Sequence, residues 1–216
     1  MTPFCTDTDL LHWEPNLFAE AAFASQTLMS GTCNLSGTAL TISAGSFIDS
    51  HIEPDQIVVL SGAVAGSFPV HSVDSGTALT ISVLYDELFA DTPAATPVGS
   101  ATGLTFVLRT FWPQRRVISE ILQQAAGIIP GIARTANATI MNPLSLRRAC
   151  VLGTLQLIYS ALSAIADAPK EYEVRAELYQ RLYQREMRSA QVEIDLNGDG
   201  DADLSVRLNN VELVRT

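Results

Sequence analysis

The heptapeptide Gly-Thr-Ala-Leu-Thr-Ile-Ser occurs twice without change, at Gly37–Ser43 and at Gly76–Ser82. In each copy a glycine turn is followed by alternation of Leu and Ile with Thr (Leu40, Ile42; Leu79, Ile81), the period-two pattern of a strand with one buried face. Two copies are too few to stack as a solenoid, so the repeat predicts similar strand-turn units within one small sheet structure. Gln56–Ser61 (QIVVLS) and Leu104–Leu108 (LTFVL) read as further strands, with Gly, Pro and Ser punctuating the gaps. A β-barrel or β-sandwich is expected over residues 31–108.

Charge divides the chain at nearly the same place. Residues 1–108 hold eleven acidic and no basic residues, whereas all thirteen Lys and Arg lie between Arg109 and Arg215, against twelve acids. The net charge of −10 therefore belongs to the first half. An acidic surface repels phosphate polyanions over about 8 Å at physiological salt, so this half is expected to avoid DNA and anionic membrane. A hydrophobic content of 47% with 17% charge is too apolar for disorder. Cys5, Cys33 and Cys150 are odd in number and widely spaced without a CxxC, and read as buried thiols rather than a disulfide framework or zinc site. The opening MTPFCTDTDLL lacks a basic n-region and an apolar h-region, so the protein is expected to stay in the cytosol where it is made.

Four helices are expected around the β segment. The first is placed over Pro15–Leu28, with Leu17, Ala21, Ala24 and Leu28 on one face. The second starts near Pro113 with Val117, Ile118, Ile121, Leu122 and Ala125 as its apolar stripe. Arg115 and Arg116 fall in its first turn, where the helix dipole disfavours cations, so they are expected to be solvated or held by an acidic partner. The third takes Asn142 as N-cap and Pro143 as first residue and runs to about Ala166. Its eighteen uncharged residues between Arg148 and Asp167 would span roughly 27 Å, but the alanines with Thr154, Gln156, Ser160 and Ser163 favour a helix covered by neighbours over a membrane span. The fourth, Pro169–Gln191, repeats Tyr172, Ala176, Tyr179, Tyr183 and Met187 opposite a charged face, which reads as core or interface. Beyond it, VEIDL and LSVRL flank an Asn-Gly-Asp-Gly centre suited to a hairpin arm.

Chemistry-bearing motifs are scarce. Asp195, Asn197, Asp199, Gly200, Asp201 and Asp203 fit the early positions of a calcium loop, but Val206 stands where the bidentate Glu is required. His12, His51 and His71 show no metal-ligand spacing. No GxSxG, SxxK, P-loop or GxGxxG occurs, and Lys170 is the lone lysine. No catalytic residue, metal ligand or cofactor is expected, and the chain reads as a non-enzyme.

The layout as a whole resembles the head-to-tail connector (adaptor) proteins of tailed bacteriophages. The resemblance is carried by EPNLFAEAAFASQ, TFWPQRR leading into a helix, NPLSLRRACVLGTLQLIYSA, the tyrosine-rich KEYEVRAELYQRLYQREM and the acidic passage VEIDLNGDGDAD. It implies an α+β chain: a small helical bundle (1–30 and 109–191), an inserted β-barrel or β-sandwich domain (31–108) and a C-terminal hairpin arm (192–216). It further implies a ring, of twelve copies in that family, placed at the virion neck between the portal protein and a tail or stopper protein. Viral DNA would pass through the lumen without sequence-specific binding, and no membrane would be involved. Acidic residues are expected to face the lumen. Arg207, Arg215, Tyr179, Tyr183, Arg115 and Arg116 are the expected partner-binding residues. A calcium-dependent adhesion module built on Asp195–Asp203 is the alternative.

Overall fold

The computed structural model describes residues 2–84, 94–128, 138–165 and 168–208. The chain is a mixed α+β protein of two compact units, Thr6–Phe111 and a second built from Met1–Cys5 with Trp112–Thr216.

The first unit is a closed six-stranded antiparallel barrel. Its strands are β1 (Thr27–Gly37), β2 (Ala39–Ile42), β3 (Ile57–Ser61), β4 (Gly66–Ser75), β5 (Ala78–Ile81) and β6 (Gly99–Arg109), in the order β1-β2-β5-β4-β3-β6 with β6 returning to β1. The two copies of the repeat are β2 and β5, and they pair with each other, Leu40 opposite Leu79. The pairing is reciprocal beyond the strands: Ile42 N–H donates to Thr77 O, and Ile81 N–H to Thr38 O. One sequence thus builds both sides of a local two-fold. The alternating residues fill the interior with Leu35, Leu40, Phe47, Val58, Leu60, Leu79, Ile81, Leu104, Phe106 and Leu108. Phe106 meets Phe47 at 6.1 Å between ring centres, and a Cβ on Gly31 would come within 3.2 Å of the Phe106 ring, so the glycine makes room for it.

The helix expected over Pro15–Leu28 does not form. Instead α1 occupies Asp7–Trp13, α2 is a single turn at Leu17–Glu20, and β1 has begun by Thr27. The overlooked start is a capping box, in which Thr6 Oγ1 accepts from Asp9 N–H and the Asp9 carboxylate accepts from Thr6 N–H. Leu17, Phe18 and Ala21 are fully buried, and Phe18 packs on Phe111 at 4.9 Å. Asp7 is also buried, its carboxylate accepting from Thr110 Oγ1 at 2.6 Å and Phe111 N–H at 3.0 Å. Residues 6–30, expected to belong with the later helices, therefore belong to the barrel unit. Strand β4 had no sequence signal, because Pro69, His71 and Ser72 interrupt the apolar alternation. Pro69 is tolerated beside a register shift at Val70/Ser72.

In the second unit, α3 (Trp112–Ala125) and α5 (Lys170–Ser189) both pack on α4 (Arg147–Ser163). A Cβ on Gly153 of α4 would stand 2.9 Å from Ile118 and 3.0 Å from Tyr183, so that glycine sets the close approach of both neighbours. The uncharged stretch is thus covered within its own chain, and none of the described helices is long and apolar enough to cross a membrane. The buried face of α3 is Arg115, Ile118, Ser119 and Leu122, while Val117 and Ile121 of the expected stripe are exposed. Asn142 does not cap α4. A 3-10 turn fills Pro143–Leu146, and the Asn142 side chain bridges to the sheet, donating to Gln191 O and accepting from Glu193 N–H. The C-terminal hairpin, β8 (Gln191–Asp195) with β9 (Leu204–Arg207), is not a lone arm within the described residues. Strand β7 (Thr139–Ile140) pairs along β8 to make three strands.

Candidate interaction surfaces

Helix α5 follows from its sequence spacing. Tyr172, Arg175, Ala176, Tyr179, Tyr183, Glu186 and Met187 recur at three and four residues and turn toward α4 as buried or half-buried side chains. Tyr179 stacks on Tyr159 of α4, rings 5.7 Å apart and 12° from parallel. Arg175 completes the cluster by donating to Tyr159 Oη at 2.8 Å, and Tyr172 lies 6.0 Å from the same ring. Tyr183 is half-buried. Burial first, and the neighbouring Cys150 second, push its phenol above the ordinary tyrosine range. The two tyrosines expected to meet a partner therefore serve the interior, the core alternative of the stripe reading.

On the charged face of α5, opposite the tyrosines, stand two apolar residues that were not expected there. Val174, Leu178, Arg181, Arg185 and Arg188 are all exposed, and their spacing of four, three, four and three places them on one narrow stripe. Its first half is apolar, with Val174 55% and Leu178 43% exposed, and its second half is cationic. No ion pair holds Arg181, Arg185 or Arg188 among the described residues. The spacing was the available signal, masked because the same helix offered a stronger aromatic period on its other side.

Of the expected arginines, Arg115 is the clearest correction: it is 7% exposed and donates from Nη1 to Cys5 O at 2.7 Å, so it is neither solvated nor open to an acidic partner. Arg116 is exposed, bridges Glu120 at 2.9 Å and lies over the Trp112 ring. Arg207 is exposed on β9. Arg215 lies outside the described residues.

The barrel unit presents a surface of opposite character. Phe47 and Ile52 sit in its core and anchor the loop between β2 and β3, which displays Ile48, 59% exposed, beside exposed Asp49, Glu53 and Asp55. A cavity of about 150 Å³ nearby is lined by Thr8, Asp55, His71 and Ser82 among others. Three of its polar side chains are engaged locally: Thr8 Oγ1 donates to Asp55 Oδ1, and Ser82 Oγ donates to Val83 O while accepting from Thr96 N–H.

The Asp-rich turn is organised by its first carboxylate. Asp195 Oδ1 accepts from Asn197 and Gly198 N–H, and Oδ2 from Gly200 N–H at 2.9 Å. These bonds, with those to Gly200 and Gly198 foremost, hold the Asp195 carboxyl below the usual carboxylate range. Gly198 and Gly200 both adopt positive φ, 82° and 91°, as the turn requires. Among the described residues no group of three or more His, Cys, Asp or Glu is arranged to hold a metal ion.

No family model matches the chain, and no curated protein or solved structure is similar to it.

Proposed function

We propose that the chain is a structural, non-catalytic subunit of the adaptor ring between portal and tail at the neck of a tailed-phage virion. Its partners in this reading are further copies of itself, twelve by the family resemblance, with the portal protein on one side and a tail or stopper protein on the other. Helices α3 to α5 would form the small bundle of the ring body, and viral DNA would pass through the lumen. The observation that carries the proposal is the α5 stripe. A solvated helix has no need of Val174 and Leu178 in line with three arginines, whereas a contact face does.

The loop at Ile48–Asp55 has the matching chemistry, one exposed isoleucine among three carboxylates. Stripe and loop are different patches, so their contact between copies is heterologous, the type that closes into rings. Charge complementarity of this kind chiefly steers encounter and fixes register. Arg207 would add to the outward basic surface that meets the portal or tail.

The test is assembly on purified portal rings, followed by electron microscopy. The Arg181→Glu/Arg185→Glu double variant is expected to lose ring formation while its folding stability stays within about 0.5 kcal/mol of wild type, as exposed surface changes do. Mixing it with an Asp49→Arg/Glu53→Arg variant should restore assembly. Unimpaired rings from the first variant would overturn the stripe as the contact, and absence of any ring on portals would overturn the neck assignment. A calcium-dependent binding module is the second reading, resting on the exposed Asp199, Asp201 and Asp203. Micromolar calcium binding by calorimetry would favour it.

A further inference from the structure

The three cysteines sit in two different environments. Cys33 lies in the barrel core, where burial pushes its thiol up to about 11. Cys5 and Cys150 are buried in the helical unit, and their sulfurs stand 2.7 Å apart across 145 sequence positions. That is inside the ordinary contact of two unbonded sulfurs, with Cys5 donating to Cys150, and a short approach separates it from the disulfide length of about 2.05 Å.

The surroundings hold both sulfurs in place. Phe4 N–H donates to Ser119 Oγ at 3.0 Å, Ser119 Oγ lies 3.4 Å from Cys150 Sγ, and Arg115 Nη1 donates to the carbonyl of Cys5. Two residues of the buried face of α3 thus dock the segment ahead of α1 so that its thiol meets the first turn of α4. Nothing in the proposed ring contact uses this cluster.

We propose that Cys5 and Cys150 are a redox-sensitive pair that closes to a disulfide, fastening the 2–5 segment covalently to α4. The oxidant is a small-molecule disulfide such as oxidised glutathione. The Cys150 thiolate attacks one of its sulfurs and expels the first glutathione thiolate, and the Cys5 thiolate then attacks the Cys150 sulfur and expels the second. The two protons lost by the protein thiols end on the two glutathiones, and one S–S bond is exchanged for another. Cys150 suits the attacking role. Burial alone would raise its pKa, but the hydrogen bonds from Cys5 and Ser119 and the charge of Arg115 outweigh that and lower it. The 2–5 segment has no helix or strand, so it can lift and take the Cys5 sulfur off Cys150 without unwinding α4.

Closing so long a loop restrains the unfolded chain, and the oxidised protein is expected to melt roughly 10 °C higher than the reduced one. The experiment treats the full chain with oxidised glutathione, quenches it in acid, then labels free thiols in denaturant with a maleimide and weighs the product. The expected result is a single label, on Cys33, together with a peptide joining Cys5 to Cys150 that dithiothreitol separates. The Cys5→Ser variant should take two labels or retain a glutathione on Cys150, and show no gain in melting temperature. Three labels on the wild-type chain after prolonged oxidation, or glutathione adducts that never resolve into the cross-link, would overturn the proposal.

Discussion

In the barrel unit every strand has a hydrogen-bonded neighbour on each side, and its alternating residues meet in one interior. In the helical unit the central helix α4 is enclosed, but the helices that enclose it leave Val117, Ile121, Val174 and Leu178 at the surface. Closure removes the edges through which a sheet would associate, whereas helices satisfy their own backbone and can leave one face for another molecule. Charge follows the same division. The barrel unit has Arg109 as its sole base against eleven acids, while the helical unit holds the other twelve bases against twelve acids. The barrel is thus self-sufficient and acidic, and the helices are near neutral with an unused face.

This contrast can be challenged by separate unfolding of the two units, because each has one of the two tryptophans, Trp13 in the barrel unit and Trp112 in the helical one. The largest effect is expected for Phe106→Ala, which empties the centre of the barrel and should cost about 3–5 kcal/mol in urea titrations followed by Trp13. The Trp112 transition should move far less. If both shift together, the units are one cooperative body and the division is wrong. Gly153→Ala is expected to cost about 1–3 kcal/mol, seen through Trp112, because the added methyl must displace Ile118 and Tyr183.

The smallest effect concerns the hairpin and depends on pH. The folded Asp195 carboxyl titrates below its unfolded value, so its contribution is complete above the unfolded pKa of about 3.9 and is lost as pH falls through the folded one. Hydrogen exchange should show the Gly198 and Gly200 amides protected at neutral pH and losing that protection below about pH 4. Protection unchanged at lower pH would mean that the carboxylate does not hold the turn.

Much of the architecture was legible in the residues. The strands at Leu40, Leu79 and Leu104–Leu108 and the helix after Pro169 were readable because their apolar periods are clean and local. The first helix was misplaced because Pro15 is a strong start signal, whereas the true start relies on Asp9 in the role usually taken by Glu. Strand β4 was invisible since its alternation is broken at Pro69 and only its neighbours β3 and β5 keep it extended. For the surfaces, the tyrosine period was plain, but periodicity alone cannot say whether a stripe faces its own chain or another.

What the linear chain determined by itself was the β and helical succession, the duplicated strand and the segregation of charge, because each rests on spacing and composition within a few residues. Only the tertiary structure decided that the two repeats pair with each other, that Arg115 and Tyr179 turn inward, that Val174 and Leu178 lie exposed in line with the arginines of α5, and that Cys5 meets Cys150. Those outcomes depend on residues dozens to more than a hundred positions apart sharing one volume, and close packing across such separations leaves no trace in local pattern.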